Sequence, residues 1–310
     1  MNKIEKKEYL FSNDTGDAVL TIYEVFPGVR LIYNSVHMDR LDLGFVTEGN
    51  LIEIHHCCEG RIEQEFEDEY FYLMPGDLSI AMRKKNVNAY TFPLHHYHGI
   101  TISINTDVAP GCFSEFLQDV RVKPLEVAKK LCGDSNCFII RSQTYIEHIF
   151  SELYSVPESI KAGYFKVKIL ELLLVLSGLD LGEKQVMSNA LPKSQVQLAN
   201  QMAAYLAENM EQHVTIAELS KIFSASDTHL KNVFKGVYGV PIYTYMRIQK
   251  MQSAAQLLIH TERPVAEIAY EFGYNNTSKF TSAFQKVMGE TPSEYRKVHA
   301  NTTVRQEFSE

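Results

Sequence analysis

Apolar positions follow one rhythm in the first hundred residues and another in the last hundred. Between about residues 15 and 105 they fall in short β-type runs, Leu20 to Val25, Leu51 to Cys57, Tyr70 to Leu73, Leu78 to Ala81 and Ile100 to Ile104. Gly60, Pro75-Gly76 and Pro93 punctuate these runs, a spacing that predicts a small antiparallel barrel. From Gln143 to Val156 and from Ser159 to Leu179 the period becomes helical, carried by Tyr145, Ile149 and Leu153, then Phe165, Ile169, Leu172, Leu173 and Leu176. The second of these helices is apolar on several sides, so it needs cover from the barrel or from a second copy of the chain.

The last third writes one helical pattern twice. Ile216, Leu219, Ile222 and Phe223 form one stripe, and Leu230, Val233, Phe234 and Val237 form the next after a short polar break. Val265, Ile268, Ala269 and Phe272 repeat the first stripe; Phe280, Ala283, Phe284 and Val287 repeat the second. Phe234 and Phe284 lie 50 positions apart, as do Gly239 and Gly289, whereas Leu219 and Ile268 lie 49 apart. One residue has therefore been added inside the second turn. Each unit of about twenty residues is too small to bury its apolar face alone. The run from Ile242 to His260, free of Pro and Gly, predicts one long helix serving both.

Many positions of this segment agree with one pattern: Leu219, Ser226, Leu230, Phe234, Lys235, Gly239, Leu257-Leu258, Ile268-Ala269, Gly273-Tyr274, Phe280, Phe284, Gly289, Thr291-Pro292 and Tyr295-Arg296. Over about one hundred residues it resembles the AraC/XylS family of bacterial transcription regulators. Ser224 stands where that family often has Gly, and Ser220 and Lys250 replace its common Ala and Arg. A left-handed backbone at Ser224 would cost about 1 kcal/mol. The stretch Leu73-Met74-Pro75-Gly76-Asp77-Leu78, followed by Phe92, His95, Tyr97, Gly99 and Ile100, resembles more loosely the cupin-like sensing barrel of many members.

Ser226 can cap the second helix of the first unit. With its apolar face inward, Thr228, Lys231, Asn232 and Lys235 project outward with donors and acceptors suited to base edges and phosphates. The resemblance implies base reading at Thr228, Lys231 and Asn232. Asn275 or Asn276 caps the second, whose outward set is Thr277, Ser278, Lys279, Thr281, Ser282, Gln285 and Lys286. Ser278 and Ser282 are the expected base-facing pair, and Lys279 and Lys286 lie nearer phosphates. Arg296 completes the expected DNA-contact set. The bland alternative is that most of these side chains are simply solvated.

Charge modifies the picture only slightly. Residues 190–310 carry a net +1 and residues 1–189 a net −9, within a chain total of −8. Composition alone would not identify a DNA binder. The five cysteines contain no Cys-x-x-Cys pair and leave an odd count, which predicts reduced thiols in a cytoplasmic protein. His55 and His56 are adjacent and would face opposite sides of a strand, whereas His96 and His98 could share one. The His-x-His-plus-Glu spacing of metal-binding cupins is missing, so no metal and no cofactor is expected.

These readings predict an α+β chain: a cupin-like antiparallel β-barrel (1–141), a helical hairpin for dimerisation (142–181), a linker (182–194), an all-α domain with two helix-turn-helix units joined by a long helix (195–300), and a disordered tail (301–310). The expected function is a sequence-specific DNA-binding regulator, an activator by family analogy and not an enzyme. A small-molecule effector would be held by Glu53, His55, Tyr72, His96 and His98. Its partners would be double-stranded DNA, RNA polymerase and a second copy of the chain, with no membrane contact. Two alternatives stand beside it: a metal-dependent cupin enzyme with accessory helices, and an interaction adaptor that does not bind DNA.

Overall fold

A computed structural model describes residues 4–44, 48–66, 69–85, 89–115, 120–133, 137–179, 190–210 and 214–298. The chain divides into two compact units, residues 1–193 and 194–310.

Unit one is built on two antiparallel sheets. With strands and helices numbered in chain order, the larger sheet runs β1 (Lys6–Asn13), β2 (Gly16–Phe26), β3 (Val29–His37), β10 (Tyr97–Asn105), β5 (Glu48–Gly60), β8 (Leu78–Lys85) and β11 (Cys137–Ile140). The smaller runs β12 (Leu191–Pro192), β7 (Glu69–Leu73), β6 (Ile62–Phe66), β9 (Ala89–Thr91) and β4 (Arg40–Asp42). Alternation along β5 and β10 divides their side chains between two environments. Ile52, Ile54, Ile100, Ile102 and Ile104 enter a core shared with α1 (Pro124–Cys132), α2 (Thr144–Leu153) and α3 (Lys161–Ser177). On the other face, Cys57 and Tyr97 pack with Ile62, Phe71 and Leu73 of the smaller sheet.

The predicted hairpin shares this single core, so the segments 1–141 and 142–181 form one compact unit. Phe165, Ile169, Leu172, Leu173 and Leu176 are buried within it, which answers much of the demand for cover on α3. Val167 and Leu174 stay exposed. Buried Lys168 of α3 pairs with Glu152 of α2 and, at 2.7 Å, with Glu171. Cys57 is buried and Cys58 exposed, as opposite strand faces require. Of the predicted linker, 182–189 lie outside the described residues. Its C-terminal end is corrected: Leu191 and Pro192 pair with Tyr70 and Glu69, and Lys193 opens the next helix. The predicted tail also lies outside the described residues.

Unit two is helical: α4 (Lys193–Glu208), α5 (Ile216–Phe223), α6 (Asp227–Tyr238), α7 (Ile242–His260), α8 (Val265–Glu271), α9 (Thr277–Met288) and a helix over 292–298. In its first half Phe234, Tyr238 and Tyr245 pack ring on ring, and the Tyr238 hydroxyl donates to Asn200 Oδ1 at 3.1 Å. In the second half Met251, Ala255 and Leu258 of α7 pack on Ile268, Phe280 and Phe284. The long helix thus supplies the third wall to both copies. No helix among the described residues is long and apolar enough to cross a membrane.

Candidate nucleic-acid interface and ligand cavity

Both copies of the repeat close their turns in the same way. After α5 the Ala225 N–H donates to Ser220 O at 3.2 Å, and after α8 the Tyr274 N–H donates to Ala269 O at 2.9 Å. Each closure needs a left-handed residue just before it. Ser224 takes that conformation at φ 49° in the first copy, and Gly273 takes it at φ 82° in the second. The next helix starts sooner in the first copy. One residue, Ala225, separates Ser224 from the cap Ser226, whereas Tyr274 and Asn275 separate Gly273 from the cap Asn276. The added residue of the repeat sits there.

Capping then fixes where α6 and α9 begin. Ser226 accepts the His229 N–H at 3.3 Å. Asn276, rather than Asn275, accepts from Ser278 and Lys279 at 2.8 and 3.2 Å. α5 and the helix over 292–298 each start with a reciprocal Thr–Glu box, Thr215 with Glu218 and Thr291 with Glu294. Both Gly239 and Gly289 end their helices in the left-handed region.

On α6, Leu230, Val233, Phe234 and Val237 are buried, and Thr228, Lys231, Asn232 and Lys235 are exposed. On α9, Phe280 and Phe284 are buried; Thr277, Ser278, Lys279, Ser282, Gln285 and Lys286 are exposed and Thr281 half-buried. Lys231, Asn232 and Lys235 also rim an apolar pocket of about 240 Å³ floored by Val214, Ile216 and Leu219.

Arg296 is placed differently from the expectation. Its Nε donates to Leu258 O at 3.0 Å and its Nη2 to Arg263 O at 2.5 Å, so the guanidinium ties down the C-terminal end of α7. The last carbonyls of a helix lack partners of their own and attract a cation. This fastening takes Arg296 out of the candidate contact set. Lys250, in the position of the family's Arg, does a related task by donating to Phe272 O at 3.1 Å across the second turn.

Unit one encloses a cavity of about 280 Å³ between its sheets. Leu20, Ile32, Leu41, Leu51 and Phe92 give it an apolar lining, interrupted by Glu53, His55, Asn34, Thr101 and Tyr97. The polar groups form a chain. Arg83 Nε lies 3.2 Å from Glu53 Oε2, His55 Nε2 lies 3.8 Å from the same oxygen, His55 Nδ1 contacts Thr101 Oγ1 at 3.0 Å, and Asn34 donates to that hydroxyl at 3.0 Å. Burial works to raise the Glu53 carboxyl, but His55 and Arg83 overcome it and hold the group below the usual carboxylate range. His55 Nε2 and the Tyr97 hydroxyl are buried without hydrogen-bond partners among the described residues.

Glu53 and His55 therefore stand in the cavity wall, but three other expected effector residues do not. Tyr72 lies buried on β7, its hydroxyl 2.5 Å from Glu63 Oε2 and its ring beneath the Arg61 guanidinium. Alternation on β10 sends Tyr97, Thr101 and Ser103 toward the cavity and leaves His98 on the opposite face. His96, just before the start of β10, sets its ring beside that of His98, centroids 4.7 Å apart. They meet His37 from the end of β3, a residue that sequence reasoning passed over because its neighbours lie about sixty positions away. Burial, then the adjacent imidazoles, holds His37, His96 and His98 below the ordinary histidine value. His56 faces the helices instead, stacked on Phe150 at 4.1 Å.

Comparison with known proteins places the repeat. Residues 219–298 match the family model of a helix-turn-helix domain. The transcriptional regulator YdiP of Escherichia coli (strain K12) is 33% identical over 104 residues, 34% of this chain and 34% of that protein. The F1 operon positive regulatory protein of Yersinia pestis is 33% identical over 100 residues, 32% of this chain and 33% of that protein. The matching stretch thus spans about a third of these relatives' length. Among solved structures, the C-terminal domain of AraT, a response regulator from Geobacillus stearothermophilus, is similar at 29% identity over 32% of this chain and 84% of that chain, with a TM-score of 0.31.

Proposed function

We propose, from the premise that residues 219–298 form an AraC-type helix-turn-helix domain, that the chain is a sequence-specific transcription regulator acting on double-stranded DNA. The observation that carries this reading is the pair α6 and α9. Each helix is capped at its start, anchored by buried phenylalanine on one face, and free on the other face to offer amides, hydroxyls and lysines to a groove. Thr228, Lys231 and Asn232 read bases in the first half-site. Ser278 and Ser282, with short side chains, contribute less to specificity, and Thr277, Thr281, Lys235, Lys279 and Lys286 hold the register through backbone contacts. The long α7, packed against both copies, fixes the separation of the two reading helices.

Unit one is the sensing part, a cupin-like barrel whose cavity takes the effector. The apolar lining with one buried polar chain suits a small molecule that carries a hydrogen-bonding group at one end. The Tyr97 hydroxyl, unpartnered among the described residues, and His55 Nε2, whose nearest polar partner is Glu53 Oε2 at 3.8 Å, are the groups that would bind it. Occupying the cavity changes the packing of the large sheet against α2 and α3, and so alters how the reading helices are presented. Val167 and Leu174, seven residues apart on α3, provide the apolar contact of a homodimer. Activation, through contact with RNA polymerase, is the favoured direction because the Yersinia relative is a positive regulator.

Selection of genomic fragments by the full-length protein tests the reading. The expected result is enrichment of one motif with two half-contacts about a helical turn apart. Recovery of fragments without a shared motif, with and without cell extract as a source of effector, would overturn it.

A further inference from the structure

We propose that His37, His96 and His98 form a binding site for one divalent zinc ion on unit one, separate from the effector cavity. Among the described residues they are the one group of three in which a ligand atom from each lies within 4.8 Å of the others. The backbone builds this arrangement. β10 pairs with β3 so that His98 lies opposite Ser35 and Tyr97 opposite Val36, which brings His37 diagonally beside His98. His96, just before the start of β10, sets its ring 4.7 Å from that of His98. None of the three lines the cavity, and none is fully buried, so an ion reaches them from solvent.

The distances suit a tetrahedral ion. With bonds of about 2.05 Å, two ligand nitrogens on one zinc stand ~3.3 Å apart. His37 Nδ1 and His96 Nδ1 already stand 3.4 Å apart. A ring nitrogen of His98 lies within 4.8 Å of a ligand nitrogen of each of the other two. The opposite nitrogen of His96, Nε2, lies 3.3 Å from Glu59 Oε2. A carboxylate on the outer nitrogen holds the ring's orientation and directs Nδ1 inward, which is the usual support of a metal-bound imidazole. Three neutral nitrogens and one open position fit zinc, which imposes no geometry of its own; carboxylate oxygens, which calcium and magnesium need, are absent from the set of three.

The test uses untagged full-length chain with its thiols blocked, so that Cys58 and Cys112 cannot supply ligands. Zinc alone is titrated and bound metal is counted after dialysis. The proposal expects one zinc per chain, loss of affinity by about tenfold or more in each of His37→Ala, His96→Ala and His98→Ala, and a weakening of about tenfold in Glu59→Gln. Because His37 is exposed and His96 and His98 are partly exposed, the variants keep the thermal midpoint of the metal-free parent, and zinc raises the midpoint of the parent more than that of any variant. Cobalt in place of zinc gives the visible absorption of a tetrahedral site. Substoichiometric binding, or binding unchanged in His98→Ala, would overturn the proposal.

Discussion

The two turns of the repeat offer a matched experiment on backbone strain. Ser224 and Gly273 occupy equivalent places, each followed by the same six-residue closure, yet one carries a side chain at φ 49° and the other none at φ 82°. A left-handed conformation costs an L-residue roughly 1–2 kcal/mol. Glycine relieves it but adds freedom to the unfolded chain worth about 0.4–1 kcal/mol. Ser224→Gly should therefore stabilise its unit by about 0.5–1 kcal/mol. Gly273→Ala should destabilise by about 1 kcal/mol, although there is room for the methyl: the nearest atom to its Cβ would be the Lys250 Nζ at 3.7 Å. Hydrogen exchange on the full-length chain, read on peptides from 214–298, resolves the effect within one unit. At about 1.4 kcal/mol per tenfold, Ser224→Gly should slow exchange of the most protected amides about threefold. Faster exchange in Ser224→Gly together with no change in Gly273→Ala would refute the backbone argument.

Three further outcomes are expected. Phe284→Ala removes a fully buried ring that meets Phe280 at 5.8 Å and Tyr295 at 5.5 Å, and should cost about 3–5 kcal/mol in denaturant unfolding; stability equal to the parent's would mean that the inward face of α9 is misread. Buried His56, lowered to about 4 by burial against a weaker opposing pull from Glu147, favours the neutral form in the folded state. Stability should be full above about pH 6.5 and fall by up to about 3 kcal/mol as the pH drops toward 4, because the unfolded chain takes up the proton first. His56→Phe should flatten that slope, and a slope unchanged in this variant would place the acid sensitivity elsewhere. Lys231→Ala should weaken operator binding by about 1–3 kcal/mol and relax preference at one base pair in a binding-site selection; equal weakening on every sequence would reassign Lys231 to a phosphate.

Local features were the legible ones. The 3.6-residue period, the duplicated glycines and the caps belong to contiguous sequence, so the inward faces of α6 and α9 and the start of α6 at Ser226 could be read directly. The left-handed turn at Ser224 followed from its alignment with a glycine. Arg296 was misplaced because an exposed-looking cation after a Pro-Ser-Glu start gives no hint that carbonyls of Leu258 and Arg263 lie within its reach. The sheets hid more. Glu53 and His55 share one face of β5, as alternation along a strand requires, but Tyr72 sits in the smaller sheet, where β7 pairs with its hairpin neighbour β6 on one side and with the distant β12 on the other. His37 meets His96 and His98 only through the β3–β10 register, which no local spacing reports.

Salt-dependent binding on a selected fragment tests the central claim most directly. The full-length protein is titrated onto the enriched motif and onto a scrambled duplex at two salt concentrations. Phosphate contacts alone give both duplexes the same affinity and the same steep loss with salt; base readout adds a gap that persists at the higher salt. A motif bound about 1,000-fold or more tighter than the scrambled duplex, with the gap retained at higher salt and narrowed by Lys231→Ala, is the predicted result. Equal affinity for the two duplexes at both salts would contradict a sequence-reading role for α6 and α9.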